Sequence, residues 1–314
     1  MELSFLHNTN IDFIKKRYFF FAVSLIITLS GVVSLFMHRG PNYGIDFTGG
    51  VLLQVAFEKP VAMNDVRSAL NAAGIPSVEL QSSQNNSVII RSKKSAMSQD
   101  ELTALINKSF AEKFADNKSI IERTEFVGPS VGKHLVKQAF FALIFSFFGI
   151  IVYVAFRFKS SIWGGAGVIG IIHDVFVIVT VFSLMDKEFT LTIVAALLTI
   201  AGFSINDTIV IFDRIRENLR LLVKDDFGTV INKSINQTLS RTFITTLTVF
   251  VVTIALFFFG GEVIHDFAFA LLIGLVAGTY STVFICSPLV YEWEVYKKRR
   301  AASFAQNRVQ KLKK

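Results

Sequence analysis

Six stretches of the chain stay apolar for about twenty residues each, at 18–37, 134–156, 162–185, 189–212, 241–260 and 267–291. About 20 such residues make a helix that crosses a hydrocarbon core of roughly 30 Å, so each stretch predicts a transmembrane helix. The first follows Lys15-Lys16-Arg17 but is too long for a signal peptide and lacks a small-residue cleavage site, so it reads as an uncleaved anchor. Between the first two spans the pattern changes. Residues 44–57 end in a strand-like run, and 62–73 carry Val66, Leu70 and Ala73 at helical spacing, closed by Gly74. Residues 77–84 and 87–91 flank the turn pair Asn85-Asn86 and predict a hairpin. Residues 98–114 place Leu102, Leu105, Ile106 and Phe110 on one helix face, and 119–127 form a last strand. The order βαββαβ is the split, ferredoxin-like pattern. The expected organisation is therefore an anchor at 1–37, an α+β domain at 38–133, three spans at 134–212, an amphipathic connector at 213–240, two spans at 241–291 and a basic tail at 292–314.

Composition agrees with a membrane protein: 52% of residues are hydrophobic and 18% are charged, against about 25% charged in soluble domains. The net charge of +8 sits mainly in four segments, 15–17, 157–159, 214–233 and the tail from Lys297. All four fall on one side of a six-span arrangement, which by the positive-inside rule puts both termini in the cytoplasm and 38–133 outside it. The tail leaves contact with anionic lipid or an acidic partner open. Residues 39–133 balance 11 Lys/Arg against 10 Asp/Glu without an aromatic platform, which speaks against nucleic-acid binding. Cys286 is the single cysteine, so no internal disulfide forms. No phosphate-binding loop, zinc-helix motif, cysteine metal cluster or nucleophile elbow occurs, so neither an enzyme nor a cofactor is expected.

What remains is ionisable chemistry inside the bilayer, which is expensive and by default marks an ion or substrate path. Asp207 closes the fourth apolar run beside a stripe of small or polar residues, Thr192, Ala195, Thr199, Gly202 and Asn206, on one helix face. That face suits a neighbouring helix better than lipid. The last span carries a matching stripe, Ala270, Gly274, Gly278 and Ser281, whose G-x-x-x-G spacing permits close helix approach. The fifth span opens with Arg241 and continues through Thr242, Thr245, Thr246, Thr248 and Thr253. Asp207 and Arg241 fall in the same half of the bilayer and are able to pair. Burial favours the neutral form of a carboxylate and an adjacent cation the charged form, so such a pair is a proton switch. The alternatives are an Arg241 that snorkels as an interfacial anchor and an Asp207 that caps a helix or sits in the interface. His173-Asp174 in the third span reads equally as a second relay or as an interhelical hydrogen bond, with Asn206 and Thr245 as further candidates. For Gly202, Gly274, Gly278 and the threonines, packing is the favoured reading. Asp213, Arg214, Arg216 and Glu217 read as surface ion pairs, and Gly44, Gly49 and Gly50 as a tight turn.

The segments GIDFTGG (44–50), VGPSVG (127–132), HDV (173–175), AGFSINDTIVIFDRIREN (201–218), NQTLSRT (236–242) and FALLIGLVAGTYST (269–282) resemble, in order and over nearly the whole chain, the SecD/SecF family of bacterial protein-export membrane proteins. The region outside the cytoplasm is much shorter than in the SecD branch. The resemblance implies the resistance-nodulation-division plan, of which this chain is one six-helix half, in the bacterial inner membrane. It further implies SecD as a separate partner, docking on the SecYEG channel with YajC, and proton-driven movements that act on a preprotein at the outer face. The family's essential fourth-span aspartate and fifth-span arginine fall on Asp207 and Arg241. The rivals are a proton-driven exporter of lipid or small molecules and a passive scaffold. A carboxylate among hydroxyls serves a proton or a sodium ion equally well.

Overall fold

The computed structural model describes residues 9–75, 78–82, 86–93, 99–158 and 160–312. These form two compact units, one of 42–143 with 188–194, the other of the remaining chain.

In the smaller unit, a four-residue helix α2 (Ile45–Thr48) leads into β1 (Gly50–Phe57), α3 (Met63–Ala72), β2 (Glu79–Ser82), β3 (Ser87–Lys93), α4 (Gln99–Lys113) and β4 (Ser119–Val127). The strands pair antiparallel in the order β2-β3-β1-β4. Alternation decides the faces: Val51, Leu53, Val55 and Phe57 meet Val66 and Leu70 of α3 and Leu102, Ile106 and Phe110 of α4 in one core. The expected element order is present, and the strand that ends the 44–57 segment begins at Gly50, after 45–48 coil into α2. Asn85 of the expected turn and Ser98 of the expected helix lie outside the described residues, as do Lys159 and the final two lysines of the tail.

Glycines join these pieces. Gly49 and Gly50 have φ of +71° and +145°, which side chains resist. A Cβ on Gly132 would sit 3.1 Å from the Gly49 nitrogen, so GIDFTGG and VGPSVG approach backbone to backbone. The second motif opens α5 (Pro129–Phe158), with proline near its start where no N–H is needed.

The larger unit is helical: α1 (Arg17–Met37), most of α5, α6 (Ser161–Leu184), most of α7 (Leu191–Leu221), α8 (Phe227–Phe259), α9 (Gly261–Ser281) and α10 (Ser287–Leu312), the last two joined by a π turn at Thr282–Cys286. Among the described residues, six helices are long and apolar enough to cross a membrane, the α9–α10 rod counting as one. The π turn has a local cause. Pro288 has no N–H and crowds the carbonyl four residues back, and the ladder widens so that the Ser287 N–H and hydroxyl both donate to the Thr282 carbonyl. Small residues set the packing: a Cβ on Gly31 of α1 would collide with Thr180 of α6, and one on Gly274 of α9 with Ile200 of α7.

The connector differs from expectation. It is not a separate surface helix: α7 runs on to Leu221, and α8 starts at Phe227 with Asp226 as its N-cap. The helices outlast the apolar runs because Ile215, Val230, Ile231 and Ile235 continue a buried seam beyond the membrane-length stretch. Residues 11–14 lie along this hairpin. Asn236 exchanges hydrogen bonds with Ile11, and the Asn232 amide accepts from the backbone N–H groups of Phe13 and Ile14.

Candidate functional site

Asp207 lies on α7 and is 4% exposed. Its Oδ2 has no hydrogen-bond partner among the described residues, an unusual condition for a buried polar atom. Arg241 and Thr246 of α8 are its polar neighbours from that helix. Thr246 in turn bonds Thr279 of α9 at 3.1 Å. The expected direct pairing with Arg241 is not made, since no ion pair within 4 Å joins the two among the described residues. The Asp207 side chain is turned into the bundle, whereas Arg241 stays on the exposed side of α8.

Around Arg241 the structure leaves a face open. Thr245 is exposed and donates to its own backbone, at the carbonyls of Arg241 and Thr242. Thr192, Ala195, Thr199, Gly202 and Asn206 are all exposed along α7. Among the described residues Gly202 therefore has no packing partner: a Cβ there would meet nothing within 4 Å. Gly274 and Gly278 do pack: a Cβ on Gly278 would sit 3.2 Å from Ser204 Cβ and 3.6 Å from Asp174 Oδ2.

Asp174 is 0% exposed and satisfied from three helices. Ser204 of α7 and Ser281 of α9 donate to Oδ2 at 2.5 and 2.9 Å, and His173 Nδ1 lies 3.1 Å from Oδ1. The His173 ring stacks on Tyr280, whose hydroxyl bonds Ser24 and the Phe20 carbonyl of α1. Asp174 is thus a hub holding α6, α7 and α9 together, and Asp207, one helical turn beyond Ser204, is its unsatisfied counterpart. Thr208 and Thr282 add a hydroxyl pair at 3.0 Å beside them. Ser204 was not expected at the site, because a lone serine in an apolar run gives no signal of the helix it faces; Ser281 was expected only as part of the small-residue stripe of the last span.

A second missed residue is Glu188. Its carboxylate sits 3.0 Å from Arg91 Nε and 3.3 Å from Lys93 Nζ, with 12% of the side chain exposed. Burial pushes its carboxyl above the ordinary carboxylate range, against the pull of Arg91 and Lys93. Asp213, Arg214 and Glu217 make surface ion pairs, Asp213 with Arg157 of α5. No group of three or more His, Cys, Asp or Glu side chains suited to a metal occurs among the described residues.

Comparison with known proteins places these residues in a family. The family described as protein export membrane protein SecD/SecF, C-terminal, matches residues 106–296, and the SecD/SecF GG motif matches 34–61. A protein translocase subunit SecF from Endomicrobium trichonymphae is 52% identical over 298 residues, 95% of this chain and 96% of that one. One from Thermodesulfovibrio yellowstonii is 42% identical, covering 92% and 96%. The crystal structure of SecDF, a translocon-associated membrane protein from Thermus thermophilus, superposes with a TM-score of 0.83 at 35% identity over 92% of this chain. SecDF in its super-membrane-facing form gives 0.70 at 34%. The chain spans 39% and 40% of those two longer chains. By the family match and the length of the shared sequence, the chain belongs to the SecD/SecF family of protein-export membrane proteins.

Proposed function

We propose that the chain is an auxiliary subunit of the Sec protein translocase in the bacterial inner membrane, and that with SecD it uses the proton motive force to drive late steps of preprotein translocation. The supporting observation is Asp207: a carboxylate buried in a membrane helix, one oxygen without a partner, and a cation acting on it without closing the pair. Such a group is costly when charged and loses that cost on taking a proton, while Arg241 favours the charged form. Each proton crossing 100 mV releases about 2.3 kcal/mol, enough when several are coupled to bias a conformational equilibrium.

SecD is the partner for the uncovered stripe of α7 and the Arg241 face of α8, a reading supported by the SecDF structures, in which a chain like this one is about two fifths of the whole. Both termini lie in the cytoplasm. The sheet unit is of the ferredoxin-like class and faces outward, where it acts on the emerging preprotein, and the assembly docks on SecYEG with YajC. The coupling ion is the proton, with sodium as the competing ion. The test is export of a secreted reporter by energised vesicles containing the chain and SecD, wild type against Asp207→Asn. The expected result is normal assembly with loss of only the portion of export that a protonophore also removes. Unchanged export refutes the reading and leaves a scaffold. A loss that follows the sodium gradient replaces the ion.

A further inference from the structure

Within the smaller unit, the last residues before α7 are held from three directions. Phe189 exchanges backbone hydrogen bonds with Asn42, at 2.6 Å, and Gly44, at 3.0 Å. Asp46 of α2 accepts from the Leu191 N–H at 2.9 Å, capping the helix from far along the chain. Both of these grips end on the 42–46 segment. The contact that reaches the sheet is Glu188, at Arg91 and Lys93 of β3. Lys93 also bonds Asn42 at 2.7 Å and pairs with Glu79 of β2 at 2.9 Å. In the sheet register Lys93 is opposite Gly50 and Arg91 opposite Leu52, on a strand flanked on both sides. Glu188 therefore grips an interior strand beside the paired glycines.

This grip is poor value as a stabiliser. Neither Arg91 Nε nor Glu188 Oε1 makes a well-angled hydrogen bond, and burying the carboxylate costs more than its two cations return. Two cations gathered on one half-buried carboxylate at the mouth of a helix instead fix position.

We infer that Glu188 is a positioning residue that ties the first turn of α7 to β3, so that a change of state at Asp207, about 24 Å along the same helix, is delivered to the sheet through it. The inference rests on the proton-switch reading in taking Asp207 as the group that changes state.

The test is amide hydrogen exchange on the full chain with SecD in lipid nanodiscs, following β1 and β3 in wild type, Asp207→Asn, Glu188→Gln and the double variant. The expected result is that Asp207→Asn shifts exchange in β3 several-fold in the wild-type background and not in the Glu188→Gln background, with β1 protection retained as the check on folding. Arg91→Gln should abolish the response from the other side of the pair. A merely structural role for Glu188 would move the baseline and leave the response intact. A β3 response that persists without Glu188, or no β3 response in the wild-type background, overturns the inference. The vesicle export assay separates the failures: if Asp207→Asn spares export the proton reading falls, whereas if export is lost and β3 responds without Glu188 only the present inference falls.

Discussion

Replacing Gly50 with alanine should loosen the sheet far more than the same change at another left-handed glycine. Gly50 has φ of +145°, and a Cβ built on it would lie 2.4 Å from the Ser92 carbonyl oxygen and 3.1 Å from Lys93 Cα. Both contacts are backbone of β3, and Gly50 is in register with Lys93 on one side and Val127 on the other, so no side chain is able to yield. Backbone strain in this region costs about 2 kcal/mol. Overpacking against a fixed neighbour costs about 2 kcal/mol more. The total of about 4 kcal/mol corresponds to roughly a thousandfold in an opening equilibrium. Gly74 supplies the control, since its φ is +79° and nothing among the described residues lies within 4 Å of its Cβ position. There only the conformational cost remains, about 1 kcal/mol or roughly fivefold. The entropy that alanine removes from the unfolded chain is common to both variants and cancels in the comparison. Amide exchange of residues 50–57 and 87–93 in the full chain reads the difference, because exchange from a locally opened sheet reports its opening free energy. Equal acceleration in Gly50→Ala and Gly74→Ala would refute the argument that contact with β3 backbone is what requires glycine at position 50.

Two further outcomes follow from the buried carboxylates. Asp174→Ala leaves the Ser204 hydroxyl and the His173 ring without their acceptor, while Ser281 keeps the Gly278 carbonyl at 3.1 Å; at roughly 1–3 kcal/mol for each orphaned group, it should lower the thermal midpoint of the purified chain well below that of Asp174→Asn, which keeps an acceptor oxygen. A midpoint for alanine equal to or above that for asparagine contradicts the hub. Glu188 gives a pH dependence: a carboxyl raised on folding adds stability that is full below its ordinary 4.5 and is lost as pH rises through the raised value. The thermal advantage of wild type over Glu188→Gln should therefore shrink from acid towards neutral pH, and a growing advantage would show that Arg91 and Lys93 outweigh burial.

The spans and the sheet were legible because each follows from a one-dimensional pattern. Twenty apolar residues make a crossing wherever they occur, and Val66 with Leu70 or Val51 with Leu53 declare a period. Boundaries were less legible, since Ile215 and Val230 keep α7 and α8 helical through packing that no local run announces. Asp207 stood out by its cost in lipid, but the direction of its side chain, inward and away from Arg241, depends on three helices at once. Asp174 was visible as one of a pair with His173 and Ser281 as one of a small-residue stripe, while Ser204 was invisible, an unremarkable serine until α7 and α9 close around α6. Glu188 went unread for the opposite reason. In the loop it is an ordinary charge, and only the fold brings Arg91 and Lys93, nearly a hundred residues earlier, to meet it.

The α9–α10 rod carries a consequence for the basic residues at its end. Val263–Phe304 is a continuous helix of 42 residues, about 63 Å at 1.5 Å per residue and some twice the thickness of a hydrocarbon core. Glu292 pairs with Arg17, the residue that opens the first membrane helix. Lys297 to Arg300 then stand about 8–12 Å beyond it, at or past the Debye length of about 8 Å in physiological salt. A flexible tail would let those four charges settle onto phosphates. A continuous helix instead fixes them in a row, with Lys298 standing 5.9 Å over the Phe227 ring of α8 and Arg299 adding its charge to that of Arg17 at Glu292.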